Sequence, residues 1–235
     1  MLSYEFMQRA LIAAVIVGMI SPLIGVFLVQ RRLALLGDGM GHVAIAGVGL
    51  AFLTGTEPVI TALFVSILGA LILELVRHKS RSAGDLALAL IFYGGIAGGV
   101  LLTSLAGGKA STALNQYLFG SLSTVSTQDF VALGAAAVVL LVILLRYGNQ
   151  FFAMSLDGET ARVQGIRVTA MSVLLTSMAA VTVVVGMRTV GLLLVSAIMI
   201  VPVAAAQQLT HSFKTTGLLA SAIGMLSATG GLTIS

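Results

Sequence analysis

"GDGMGHVAIAGVGLAF", residues 37 to 52, sets an aspartate and a histidine four residues apart inside a long apolar stretch crowded with glycine. What those two side chains can do depends on the solvent around them, and the rest of the chain identifies it. Of the 235 residues, 58% are hydrophobic and only 9% charged, with a mean hydropathy of +1.12. Soluble domains carry about 25% charged residues. Here the charges fall almost entirely between apolar runs that approach or exceed the roughly 20 residues a helix needs to cross a bilayer core. The composition excludes an ordinary soluble domain and predicts an all-α, polytopic membrane bundle.

Working outward from that stretch, apolar windows predict about eight transmembrane helices, near residues 7–29, 33–53, 58–76, 86–105, 130–145, 168–187, 189–209 and 217–234. The first run is too long for the short core of a cleavable signal peptide, and its head carries Glu5, so it reads as a permanent span. Pro22 and Pro202 fall inside spans and are expected to kink them, each removing a backbone donor. The freed carbonyls must then be satisfied by neighbouring helices or water. The absence of cysteine excludes disulfides and thiolate metal ligands.

The net charge of +4 does not point to nucleic acid, because the cations are scattered between spans. Arg31, Arg32, Arg77, Lys79, Arg81, Arg146, Arg162, Arg167 and Lys214 all fall on one side of the membrane, against Arg9, Lys109 and Arg188 on the other. The positive-inside rule therefore predicts an N-terminus outside the cell or inner membrane.

Two connections are long enough to carry function. The outer one, residues 106–129, is half polar and reads either as a segment dipping back into the membrane or as a surface loop. The inner one, residues 146–167, contains a short helix signal: Asp157 as N-cap, Glu159 in the first turn, Arg162 later and Gly165 as the stop. Two helical turns are marginal alone in water, so such a piece needs something to dock on.

On a helix, Asp38 and His42 lie about 40° apart in azimuth and one turn apart along the axis, so their side chains converge. A carboxylate at the centre of a membrane helix costs at least about 2.5 kcal/mol. A divalent cation held by carboxylate and imidazole would offset that cost, and both groups suit zinc or manganese. A structural Asp–His ion pair close to Arg31 and Arg32 would offset it too. Spacing alone leaves both readings open. Two ligands do not complete a metal site, but Gly37, Gly39, Gly41, Gly47 and Gly49 keep this helix narrow. Small residues at such spacings allow close helix approach, so two copies meeting near this span across a two-fold axis could pool their ligands.

Four segments together resemble the permease subunits of ABC transporters for zinc, manganese and iron. "GDGMGHVAIAGVGLAF" is similar to the family's D-x-x-x-H helix and small-residue stretch, and "QYLFGSLSTVSTQD" to its Leu-Phe-Gly-Ser block. "SLDGETARVQGI" resembles its cytoplasmic segment that contacts the ATPase, and "VGLLLVSAIMIVPVAAAQ" its late span ending in Pro-x-x-x-Ala. The resemblance implies one transmembrane permease domain over residues 1–235, pairing as a homodimer, with a cytoplasmic ATPase-coupling segment at 148–167. It implies Asp38 and His42 as metal ligands, one pair from each copy, and Asp157, Glu159, Ala161, Arg162 and Gly165 as coupling residues. The metal the resemblance implies, manganese, zinc or iron, is cargo rather than a bound cofactor. The partners implied are a second copy, a cytoplasmic ATP-binding subunit, an extracytoplasmic metal-binding protein and membrane lipid. The chain stops at "GGLTIS", short of the polar end and further hydrophobic region of the family, which implies C-terminal shortening.

No enzymatic activity is expected of the chain itself. "GGKAST" at 107–112 has Thr103 where a phosphate-binding loop needs its first glycine, and Ala110 where it needs Ser or Thr. ATP hydrolysis is accordingly expected on a separate subunit. An intramembrane hydrolase using Ser196 or Ser121 with His42 is the alternative reading, against which stands the lack of a G-x-S-x-G elbow; a passive cation channel is another. Glu74 is expected to pair with Arg77 or Arg81. His78 and His211 are expected to be solvated, and Gln30, Asp85, Arg188 and Gln207 have no assignable role.

Overall fold

The computed structural model describes residues 5–79, 84–120 and 127–234. Among them the chain forms ten helices: α1 (Glu5–Gln30), α2 (Leu36–Thr54), α3 (Pro58–Lys79), α4 (Gly84–Leu105), α5 (Gly108–Phe119), α6 (Thr127–Leu156), α7 (Gly158–Val163), α8 (Val168–Thr189), α9 (Leu192–Leu209) and α10 (Phe213–Ile234). Eight of these, all but α5 and α7, are long and apolar enough to cross a membrane. The interior is built from α1, α2 and α8, whereas α3, α4, α6 and α10 are largely peripheral. Ile60, Phe64, Leu90, Val138 and Leu145 point outward from that periphery. In water such a surface would aggregate; facing lipid it is the expected solvent boundary.

The spans agree with the apolar windows to within a few residues, with informative exceptions. The fifth span was expected to end at 145, yet α6 continues to Leu156, about 16 Å further. The polar run Arg146–Gln150 lowers hydropathy without supplying a proline to break the helix, so the backbone ladder simply continues. The next-to-last span starts at Leu192 rather than 189 because Gly191 adopts φ +89°. The outer connection, left open between a dipping segment and a surface loop, contains α5. That helix buries Tyr117 and packs against α2, α4, α8 and α9, so it belongs to the bundle.

Both prolines lie inside helices, Pro22 in α1 and Pro202 in α9. Pro22 cannot bond the Gly18 carbonyl, and α10 closes on that position. A Cβ at Gly224 would lie 2.4 Å from the Gly18 oxygen, and Ser221 donates to the adjacent Met19 carbonyl at 3.1 Å. α9 approaches α1 closely as well, since a Cβ at Gly25 would stand 1.8 Å from the Met199 carbonyl oxygen.

The two ends of the bundle are tied by charge. At the end bearing Arg31, the carboxylate of Glu74 is buried: Arg77 donates to it at 2.7 Å and Ser172 of α8 at 2.7 Å. Ser172 in turn accepts from Arg31 at 2.6 Å. The expected Glu74–Arg77 pair is thus present, while Arg81 lies outside the described residues. Burial pulls the Arg31 guanidinium below its usual value, Glu74 opposes that shift and Arg77 adds to it. At the other end Arg188 of α8, given no role by the sequence, meets Asp129 of α6 at 2.8 Å and Glu57 before α3 at 3.4 Å.

The α1–α9 contact leaves no room for a methyl group. Gly25→Ala should therefore destabilise the protein by about 1–3 kcal/mol, the usual cost of overpacking. Gly134→Ala, on α6 where a Cβ meets nothing within 4 Å, should be neutral or slightly stabilising. Thermal unfolding in detergent checks both, and equal behaviour of the two variants would contradict the close approach.

Candidate functional site

α2 begins with little help from side chains. Its N-cap, Leu35, makes no capping hydrogen bond, and Asp38 supplies the acidic group of the first turn. A carboxylate there lies in the favourable field of the helix N-terminus. One turn on, His42 Nε2 stands 3.9 Å from Asp38 Oδ1. That separation is too long for a direct hydrogen bond. It suits a shared cation, because two ligands each about 2.1 Å from one ion can lie up to about 4.2 Å apart.

The environment of the pair is as telling as its spacing. Gly37, Gly39, Gly41, Gly47 and Gly49 are all buried. They face neighbours within the same chain: Met199 and Leu192 of α9, Phe92 of α4, Ala62 of α3, and Leu102 and Thr103 of α4. A Cβ at Gly95 of α4 would come within 2.8 Å of the Val43 nitrogen and 3.0 Å of the His42 carbonyl carbon. The expectation that these glycines bring a second copy close is corrected here, since their narrow faces are filled by α3, α4 and α9. Running from the N-cap along α2, Leu35, Asp38, His42, Ala46, Leu50 and Leu53 form an uncovered stripe, with Val43, Phe52 and Thr54 also only partly covered or exposed. Asp38 and His42 sit on it with 34% and 19% of their side chains exposed.

Phe92 holds the imidazole from the α4 side, edge to face at 5.0 Å between ring centroids. Phe92 also lines a crevice of about 390 Å³ together with Arg32, Leu35, Leu88 and Tyr93. The aromatic partner of His42 was not legible in the sequence, because Phe92 lies fifty residues away on an unbroken apolar helix. Among the described residues no third His, Cys, Asp or Glu joins the pair. Arg31, a possible partner of Asp38 by spacing, donates instead to Ser172.

The short inner helix is built as its sequence suggests. Asp157 accepts from the Glu159 amide at 2.9 Å and from the Thr160 hydroxyl. These two bonds, the Thr160 one foremost, hold the Asp157 carboxyl below the ordinary carboxylate range. The cap is therefore intact above that range and is lost as pH falls through the lowered value. Gly165 ends the helix at φ +84°, with the Ile166 amide returning to the Ala161 carbonyl at 3.0 Å, the Schellman pattern that favours glycine. The docking surface the helix needs is its own chain: Ala161 is 1% exposed and α7 packs on α6 and α8. The outward face carries Glu159, Arg162 and Val163, the last 90% exposed. Of the expected coupling residues, Ala161 is thus an anchor and not a contact open to a partner.

The remaining candidates separate cleanly. The Ser196 hydroxyl bonds carbonyls of its own helix, Leu192 at 3.1 Å and Leu193 at 3.3 Å, the usual habit of serine in membrane helices. Ser121 lies outside the described residues. His211 is exposed and, with Gln30 and Gln207, lines a crevice between the ends of α1, α6, α9 and α10.

Eight apolar spans, one of them largely enclosed and bearing Asp38 and His42 on its uncovered stripe, define a multi-pass helical membrane protein. Residues 3–235 match the ABC 3 transport family, and the chain belongs to it. It is 33% identical over 232 residues to a manganese transport system membrane protein of Listeria monocytogenes, covering 99% of this chain and 82% of that one. A manganese import system permease protein of Streptococcus gordonii is also 33% identical, with 98% of this chain and 82% of that one aligned. Among solved structures, PsaBC of Streptococcus pneumoniae in complex with Fab is similar with a TM-score of 0.86 at 29% identity, over 99% of this chain and 83% of that one.

The orientation of α7 is directly testable. A cysteine at Val163 should react with a hydrophilic maleimide in native membranes, and one at Ala161 should react only after denaturation. Equal labelling of both positions would mean that α7 is not seated as described.

Proposed function

We propose that the chain is the permease subunit of an ATP-driven importer of divalent transition-metal ions, with manganese the favoured cargo and zinc or iron the others its ligands suit. The observation that carries this reading is the Asp38–His42 pair, 3.9 Å apart on the uncovered stripe of an otherwise enclosed helix. Membership of the ABC 3 transport family and the manganese permeases among its relatives support the substrate class.

One chain offers a cation only two side chains, whereas zinc sites take four ligands and manganese sites more, with water. A second copy laid two-fold against the stripe would bring a second carboxylate and imidazole and would cover Leu35, Leu50 and Leu53. The flanking apolar residues Leu86, Leu90 and Tyr93 of α4 are exposed and extend the same surface. With the basic end inside, as cation placement favours, the site lies near the cytoplasmic mouth of α2 and the N-terminus is outside. The cytoplasmic segment 148–167 then presents Glu159, Arg162 and Val163 of α7 to a separate ATP-binding subunit. That subunit hydrolyses ATP, and an extracytoplasmic metal-binding protein delivers the ion at the opposite face. The chain itself is not an enzyme in this reading. The ion is held by Asp38 carboxylate and neutral His42 imidazole, and Phe92 fixes the ring's direction.

Asp38→Ala and His42→Ala should each lower manganese accumulation by at least about 100-fold, the upper range for losing even an outer partner of a metal site. Assembly with the ATP-binding subunit should remain intact. Near-normal accumulation in both variants would sink the site.

A ligating imidazole must be neutral, so cation and proton compete for His42. Affinity should fall as the medium is acidified, because protons and the cation compete for the same ligand atoms. Binding should also release protons, read by calorimetry in buffers of different ionisation enthalpy. A pH-independent affinity without proton release would exclude the histidine as a ligand.

A further inference from the structure

The buried polar chain at the basic end joins three parts of the fold that the backbone keeps apart. Ser172 lies in the second turn of α8, close after the Gly165 stop that fastens α7 to α8. Its hydroxyl has a single proton, which goes to Glu74 Oε2 of α3 at 2.7 Å, and its lone pair accepts Arg31 Nη1 at 2.6 Å. Ser172 is 3% exposed, so water does not compete for either bond.

Arg31 belongs to the turn that leads into α2, and that turn is stiff. The Leu33 amide returns to the Leu28 carbonyl at 2.8 Å, Arg32 takes φ +58°, and Leu36 bonds Leu33 at 2.9 Å. Asp38 follows in the first turn of the next helix. A displacement of the basic end of α8 would therefore act through one hydroxyl on the guanidinium at the start of the helix that carries Asp38 and His42. Stability does not account for the arrangement, because buried ion pairs are commonly replaceable by apolar residues at no loss.

We propose that Ser172 is a positioning residue for transport. Held by Glu74 and gripping Arg31, it conveys movement of the α7–α8 segment to α2 and so to Asp38 and His42. The proposal rests on the permease reading above. It assigns to the Arg31–Ser172–Glu74 chain the link between the ATP-driven step and the cation site.

The test uses the permease assembled with its ATP-binding subunit in liposomes. Manganese binding, ATP hydrolysis and manganese uptake are measured on the same preparation. Ser172→Ala should leave manganese affinity and assembly unchanged and hydrolysis active, while ions moved per ATP fall by about tenfold, within the usual 5–150-fold range of coupling between sites. Ser172→Thr, which keeps the hydroxyl, should restore the ratio. If Ser172→Ala does not assemble, Arg31→Gln cuts the same link from the turn and should lower the ratio alike. An unchanged ratio in the alanine variant overturns the proposal. So does a loss of binding, hydrolysis and uptake in proportion, which would make the chain purely structural. A wild-type complex that binds and moves no manganese would instead overturn the permease reading, so the two failures are distinguishable.

Discussion

The helix bearing Asp38 and His42 is enclosed largely through glycine, and the rest of the structure follows from that constraint. With no Cβ at Gly47 and Gly49, α3 and α4 approach α2 to backbone distance, and Gly37, Gly39 and Gly41 make room for the Met199 and Leu192 side chains of α9 and Phe92 of α4. Close packing of this kind substitutes for the hydrophobic effect, which does little between helices already in lipid. It also leaves a stripe uncovered, and both ionisable residues of the helix lie on it. A carboxylate there keeps access to a cation or to water rather than being sealed in hydrocarbon, where it would be costly.

Around this helix, charge fixes the register of the bundle. α8 is the common member: its Ser172 joins Glu74 and Arg31 at the basic end, and its Arg188 joins Asp129 and Glu57 at the other. Two polar knots on one central helix resist sliding of α3 and α6 along it more effectively than apolar contact, which is indifferent to small shifts. At the basic end, removing Arg77 from the buried Glu74 carboxylate would leave that charge unpaired at a cost of about 3–5 kcal/mol. α7 is seated on α6 and α8 by Ala161, so it is continuous with the helix that holds both knots.

Much of this was legible in the sequence because membrane helices are written in hydropathy. The eight spans, the Asp157 cap and the Gly165 stop follow from local chemistry, and the structure places them as read. The length of α6 was not legible, since Arg146–Gln150 is polar without being helix-breaking, and hydropathy measures solvent rather than backbone. The use of the glycines was not legible either: spacing says that a face is narrow and not which neighbour fills it. Arg188 and Ser172 carried no signal because their partners are distant in sequence, 131 residues for Glu57 and 98 for Glu74. The orientation of Ala161 lay beyond reach for the same reason, as a six-residue helix shows no usable periodicity.

In the proposed permease, one cation is shared by the exposed stripes of two chains. The most direct measurement is the stoichiometry of manganese bound to the assembled complex, read by electron paramagnetic resonance against a calibrated standard at saturating metal. A two-fold site built from both Asp38–His42 pairs predicts one ion per two permease chains, with imidazole nitrogen coupling in the spectrum. One ion per chain, or a bound ion without nitrogen coupling, would contradict it.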